Sequence, residues 1–129
     1  MTLQEAFDKV LFGLRAQAVG SFDYSGVGMA PSCLYRNKTG LKCAIGQLIP
    51  DDEYVPEMEA LLFLAIKDPQ HPAHCKTLSK VPVFFLRDLM SIHDMFMPQR
   101  KGDSMLRWED QMRETAGRYG LHYTQILPE

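Results

Sequence analysis

Between Pro82 and Met97 the chain is apolar on most sides of a helix, and this stretch limits the fold more than any other. Phe85, Leu89, Ile92 and Phe96 fall on one stripe at helical spacing, and Leu86, Met90, His93 and Met97 fall on the adjoining one. Pro82 suits a helix start. A helix with so little polar surface belongs at the centre of a domain, with other elements laid around it.

Those other elements are predicted from spacing. Leu3, Ala6, Phe7, Val10, Leu11, Leu14 and Ala18 mark an amphipathic opening helix, with Thr2 and Glu5 placed as a capping box and Gly20 as its stop. From Gly20 to Pro31 the residues are small and glycine-rich, which predicts a loop. Pro56 can begin a helix whose buried face would be Met58, Leu61, Leu62, Ala65 and Ile66. Met105, Trp108, Met112, Ala116 and Tyr119 mark a last helix closed by Gly120, and Leu121 to Leu127 reads as a short strand or an extended arm.

Residues 32–49 are the exception to the helical pattern. Asn37-Lys38-Thr39-Gly40 suits a type I turn with a bulge glycine, hence a β-hairpin. In the bulged register Arg36 faces Lys42 and Tyr35 faces Cys43, so Cys33, Tyr35, Leu41, Cys43 and Ile45 share one apolar face. Cys33 and Cys43 would then be diagonal neighbours about 7–8 Å apart, long for a disulfide. A short helical turn follows from Ala44 to Ile49. The expectation is an α+β domain, mostly helical, with about four helices packed with one β-hairpin over residues 1–129.

Charge and cysteine use narrow the function classes. The net charge is −2, without the basic surplus that phosphate contacts need, so nucleic acid is not the expected partner. The first twenty residues carry Glu5, Asp8, Lys9 and Arg15 and do not read as a signal peptide, and the longest apolar run, Leu61 to Ile66, is far too short to cross a membrane. Three cysteines, an odd number, fit reduced thiols in a cytoplasm. Asp51 to Glu59 forms an acidic patch read as solvated surface with no compensating base. Arg100, Lys101, Arg107, Arg113 and Arg118 form a local basic strip.

Two chemistries are candidates. Cys43 stands where a strand would enter a helical turn, a place that favours the thiolate, and His93 with Asp94 could supply a base and a charge. Against this, a cysteine and a histidine on apolar faces suit a packed core, and no nucleophile signature surrounds Cys43. His71, His74 and Cys75 cluster in a proline-interrupted loop and, with Cys33 and Cys43, are weak zinc candidates lacking any C-x-x-C pair. No cofactor motif is found: Gly26-Val27-Gly28 lacks a third glycine and a preceding strand.

The strings Cys33-Leu-Tyr35-Arg36, Gly40-Leu-Lys42-Cys43-Ala44-Ile45-Gly46 and Leu48-Ile49-Pro50-Asp51 resemble a family of small uncharacterised proteins of bacteriophages, prophages and bacteria. Leu86-Arg-Asp-Leu89, Ile92-His93-Asp94 and Tyr119-Gly120-Leu121 resemble that family's second half. The resemblance implies an accessory protein in the cytoplasm of a bacterial host and assigns no ligand or catalytic residue. The expected function is therefore non-enzymatic binding of a host macromolecule, a host protein above all, in host takeover or counter-defence. A small cysteine-dependent or metal-binding enzyme centred on Cys43 and His93 is the alternative, and a nucleotide or other small-ligand pocket is a third. A homo-oligomer is compatible with all three.

Overall fold

The apolar segment folds as expected into helix Val83–Phe96, fully burying Phe85 and Leu86. The structure, a computed structural model, describes residues 1–23 and 32–125, with the backbone alone at 23, 32 and 33. Among these residues the α-helices are α1 (Leu3–Gln17), α2 (Phe63–Lys67), α3 (Val83–Phe96) and α4 (Leu106–Tyr119), with 3₁₀ turns at Gly46–Leu48, Pro56–Ala60 and Leu78–Lys80. α3 packs on α4, α1 on the 46–48 turn, and α2 on the 78–80 turn. Trp108, Phe7, Phe85 and Leu11 are the largest fully buried side chains of one continuous buried cluster. Among the described residues no helix is long and apolar enough to cross a membrane.

Each end of α1 is set by local chemistry. The Thr2 hydroxyl accepts from Glu5 N–H at 3.1 Å, and the Glu5 carboxylate accepts from Thr2 N–H at 3.3 Å. The helix stops at Ala18, before the expected Gly20, because Ala18 itself takes the left-handed conformation (φ 61°) and donates its N–H to Leu14 O at 2.8 Å. α1 and α4 are joined by a bidentate pair, Arg15 Nε to Glu109 Oε1 at 2.6 Å and its terminal nitrogen to Oε2 at 2.9 Å. The tail then returns over α1, where His122 exchanges backbone hydrogen bonds with the Gln4 amide at 2.8 and 3.0 Å. Residues 126 and 127 of the expected arm, and the loop residues 24–31 with Gly26, Val27 and Gly28, lie outside the described residues.

The expected α+β class and its β-hairpin are overturned. The fold is helical, and the only ladder among the described residues is a two-residue antiparallel contact, Phe22 opposite Cys33 and Asp23 opposite Ser32. The 33–45 stretch holds one isolated bridge, Arg36 with Lys42, above a turn in which Asn37 Oδ1 accepts from the Thr39 and Leu41 backbone N–H groups, both at 3.0 Å. The physical reason lies in where the backbone groups go. The N–H groups of Tyr35 and Arg36 donate to the two oxygens of Glu59, each at 2.9 Å. Gln17 brackets Lys42, its amide oxygen accepting from Lys42 N–H at 2.8 Å and its nitrogen donating to Lys42 O at 2.9 Å. The bridge keeps two ladder bonds, Asn37 N–H to Leu41 O at 2.9 Å and Cys43 N–H to Tyr35 O at 3.3 Å. The Tyr35 N–H that would return to Cys43 O goes to Glu59 instead, and Cys43 O accepts from Gln47 N–H at 2.9 Å, so the pairing extends no further.

The helix expected from Pro56 is also divided. Leu61 and Leu62 are extended, and the Tyr35 hydroxyl donates to Leu61 O at 2.7 Å, so that carbonyl does not continue a helix. The break turns Leu62, expected inside, outward to 76% exposure.

Candidate functional site: a recess beside Glu59

Glu59 closes the irregular half of the molecule onto itself. Besides the two N–H groups, its Oε2 accepts from the Tyr54 hydroxyl at 2.7 Å. Burial, and then the adjacent Glu59 carboxylate, push the Tyr54 hydroxyl up to about 12, so it remains a donor across the physiological range. The Arg36 guanidinium stacks on the Tyr54 ring at 4.4 Å and pairs with Asp51 at 2.8 Å, where Lys42 also approaches to 3.6 Å. The positive charges of Lys42 and Arg36 hold the Asp51 carboxyl below its usual range. Glu53 accepts from the Thr77 hydroxyl at 2.6 Å and from Thr77 N–H at 2.9 Å. Burial raises that carboxyl, but the hydrogen bonds from Thr77 and its neighbours outweigh it and the group stays low. The 51–59 acids are therefore three connectors, Asp51, Glu53 and Glu59, among exposed Asp52 and Glu57. Asp51 does have basic partners, contrary to the reading of the sequence, whereas Glu53 and Glu59 are held by hydroxyl, thiol and backbone donors.

Beside Glu59 lies a recess of about 180 Å³. Tyr35 and Cys43 form one wall, Met90 of α3 another, and Glu59 with Ala60, Leu61 and Leu62 the rim and side. Cys43 is fully buried, and its sulfur accepts from Gly46 N–H at 3.4 Å. The 46–48 turn can approach this closely because residue 46 is glycine. A Cβ there would sit 1.9 Å from Tyr35 O.

His93 is held elsewhere. Its Nε2 accepts from Ser21 N–H at 3.1 Å, its Nδ1 lies 2.9 Å from Asp94 Oδ1, and Phe22 stacks on the ring at 5.3 Å. An acceptor Nε2 places the ring proton on Nδ1, facing Asp94. The structure thus brings His93 and Asp94 together and fixes the ring, but His93 does not line the recess that Cys43 lines.

The metal candidates are dispersed among other contacts. His71 Nδ1 accepts from Ala73 N–H at 3.0 Å, Cys75 is buried with its sulfur 3.4 Å from Glu53 Oε1, and His74 Nε2 is a buried atom with no hydrogen-bond partner among the described residues. Burial, with Glu53 nearby, pushes the Cys75 thiol up, away from the thiolate a metal needs. No three His, Cys, Asp or Glu side chains come together as a metal site among the described residues, and the Cys33 side chain lies outside them. The basic strip is drawn into local contacts as well. Arg107 lies over Phe96 at 5.6 Å, Arg113 pairs with Asp110 at 3.0 Å, and Arg118 donates to the Thr115 hydroxyl at 3.1 Å.

Sequence reasoning missed Glu59, Tyr54 and Gln17 as organising residues. An acid in an acidic run carries no signal that it will cap an N–H pair 23 residues away. No family model, curated protein or solved structure matches the chain.

Proposed function

We propose that the protein acts by binding another macromolecule, through the 55–64 stretch at the recess, and not by catalysis. The observation that supports this is the outward turn of Leu62 at the rim, with Val55 and Leu64 also exposed in the same stretch. A single exposed leucine needs no explanation, but three exposed large aliphatic side chains in one short stretch, one of them lining a recess, suit a contact surface. The internal engagement of the Cys43 sulfur and of both His93 ring nitrogens favours packing roles for these groups. The resemblance of the 33–51 string to small phage and prophage proteins directs the search to a bacterial host protein.

The test is affinity capture from a bacterial lysate with the wild-type chain, Leu62→Asp and Cys43→Ala in parallel. A partner held by wild type and Cys43→Ala but lost by Leu62→Asp is the expected result. A partner lost only by Cys43→Ala, or fast alkylation of native Cys43 by iodoacetamide at neutral pH, would favour cysteine chemistry instead.

A further inference from the structure

We infer that the recess beside Glu59 receives a single lysine or arginine side chain of a partner polypeptide, flanked by apolar residues that pack on Leu62. This rests on the binding reading above and specifies its chemistry.

Size comes first. At about 180 Å³ the recess is smaller than the roughly 300–1,000 Å³ of pockets for drug-sized ligands, and suits one long side chain. Charge comes second. Among the described residues Glu59 is the only charged one lining it, and its carboxylate makes no ion pair there, since Arg36 and Lys42 are directed to Asp51. A carboxylate offers about four lone-pair positions. Oε2 uses two, for Arg36 N–H and the Tyr54 hydroxyl, whereas among the described residues Oε1 accepts only from Tyr35 N–H. One acceptor position on a half-buried, unneutralised carboxylate thus remains for a cationic donor. The walls come third. The Tyr35, Leu61 and Met90 side chains suit the methylene stem of a basic residue, which buries its stem while its charged end finds a partner. The exposed Leu62 at the rim provides apolar contact that a free amine cannot exploit.

The test follows side-chain methyl signals of Met90 and Leu62 by NMR during titration with three probes: N-acetyl-Leu-Lys-Leu-amide, the same peptide with glutamine for lysine, and butylammonium. The lysine peptide is expected to give saturable shifts at Met90 and Leu62 while Met112, buried on α4, does not move. The glutamine peptide should bind at least about fivefold more weakly, as loss of a charge-assisted bond requires. Butylammonium should also bind more weakly than the lysine peptide. Glu59→Gln should weaken the lysine peptide to the level of the neutral one. Because Glu59 also holds backbone, Ala60→Phe serves as a second variant, filling the recess from an exposed position, and should abolish binding with an unchanged melting temperature.

Equal affinity for the lysine and glutamine peptides, or binding undisturbed by Ala60→Phe, would overturn the inference. Butylammonium binding as tightly as the peptide would replace the polypeptide side chain with a free amine. If no probe binds but Leu62→Asp still abolishes capture of a lysate protein, the recess inference falls and the binding reading stands.

Discussion

α3 and α4 on one side, and residues 33–62 on the other, are stabilised by different physics. In the helical pair the backbone satisfies itself, and stability comes from burying Phe85, Leu89, Trp108 and Met112 in the common core where the two helices pack. In the 33–62 region the backbone has little regular structure, and side chains complete it: Glu59 at 35 and 36, Gln17 at 42, Asn37 at 39 and 41, Arg36 at Ile49 O. A helical half fails through its apolar groups, whereas a polar-laced half fails through one carboxylate or one amide. The recess lies where the two meet, with Met90 from the first and Cys43 and Glu59 from the second.

The largest expected loss is in the helical half. Phe85 is fully buried and meets the Tyr119 ring edge-on at 4.9 Å, so Phe85→Ala should cost about 3–5 kcal/mol in chemical denaturation. In the other half, Glu59→Ala strands two N–H groups and the Tyr54 hydroxyl, and should cost about 1–3 kcal/mol although little apolar area is lost. Equal, negligible effects of Glu59→Ala and of a change at exposed Glu57 would erase the distinction between the halves.

The same contrast extends to pH. Glu53 titrates below its ordinary value in the folded chain, so its contribution is present above the unfolded carboxylate value of about 4.3 and is lost as pH falls through the lower folded value. Thr77→Val removes the hydroxyl donor. It should lower stability by about 1 kcal/mol at pH 7, with the gap to wild type closing as the medium becomes acidic through that window. A gap that is constant from neutral to strongly acidic pH would mean the hydroxyl does not act through the carboxylate.

The smallest effect is a gain. Ala18 pays for a left-handed φ of 61° that glycine adopts freely, and Ala18→Gly should stabilise α1 by about 0.5 kcal/mol, a net of relieved strain and greater unfolded-chain freedom. A loss of stability on that change would show that the Ala18 side chain contributes packing greater than its strain.

What could be read from the sequence follows the same division. The 3.6-residue spacing placed α3 and α4 within a residue or so of their ends, and the Thr2–Glu5 capping box needs only neighbouring residues. Spacing failed at 33–45 and 56–66, where Glu59 and Gln17 reach backbone groups more than twenty residues away and leave no periodic trace. Alternation around Asn37–Gly40 matched a hairpin because Tyr35 and Cys43 are both buried, but burial of alternate residues does not require a strand partner. Of the site, Cys43 was visible as a buried thiol. The Glu59 carboxylate and the outward Leu62 were not, since each depends on the helix break at 61–62.

The central claim is that Glu59, not a neighbouring strand, holds the 35–36 backbone. Native-state hydrogen exchange of individual amides tests it most directly, comparing wild type with Glu59→Ala. The expected result is that Tyr35 and Arg36 N–H groups are protected in the wild type and lose that protection in the variant, while α3 amides such as Leu89 and Met90 keep most of theirs. Undiminished protection at Tyr35 and Arg36 in a folded Glu59→Ala chain would contradict the account.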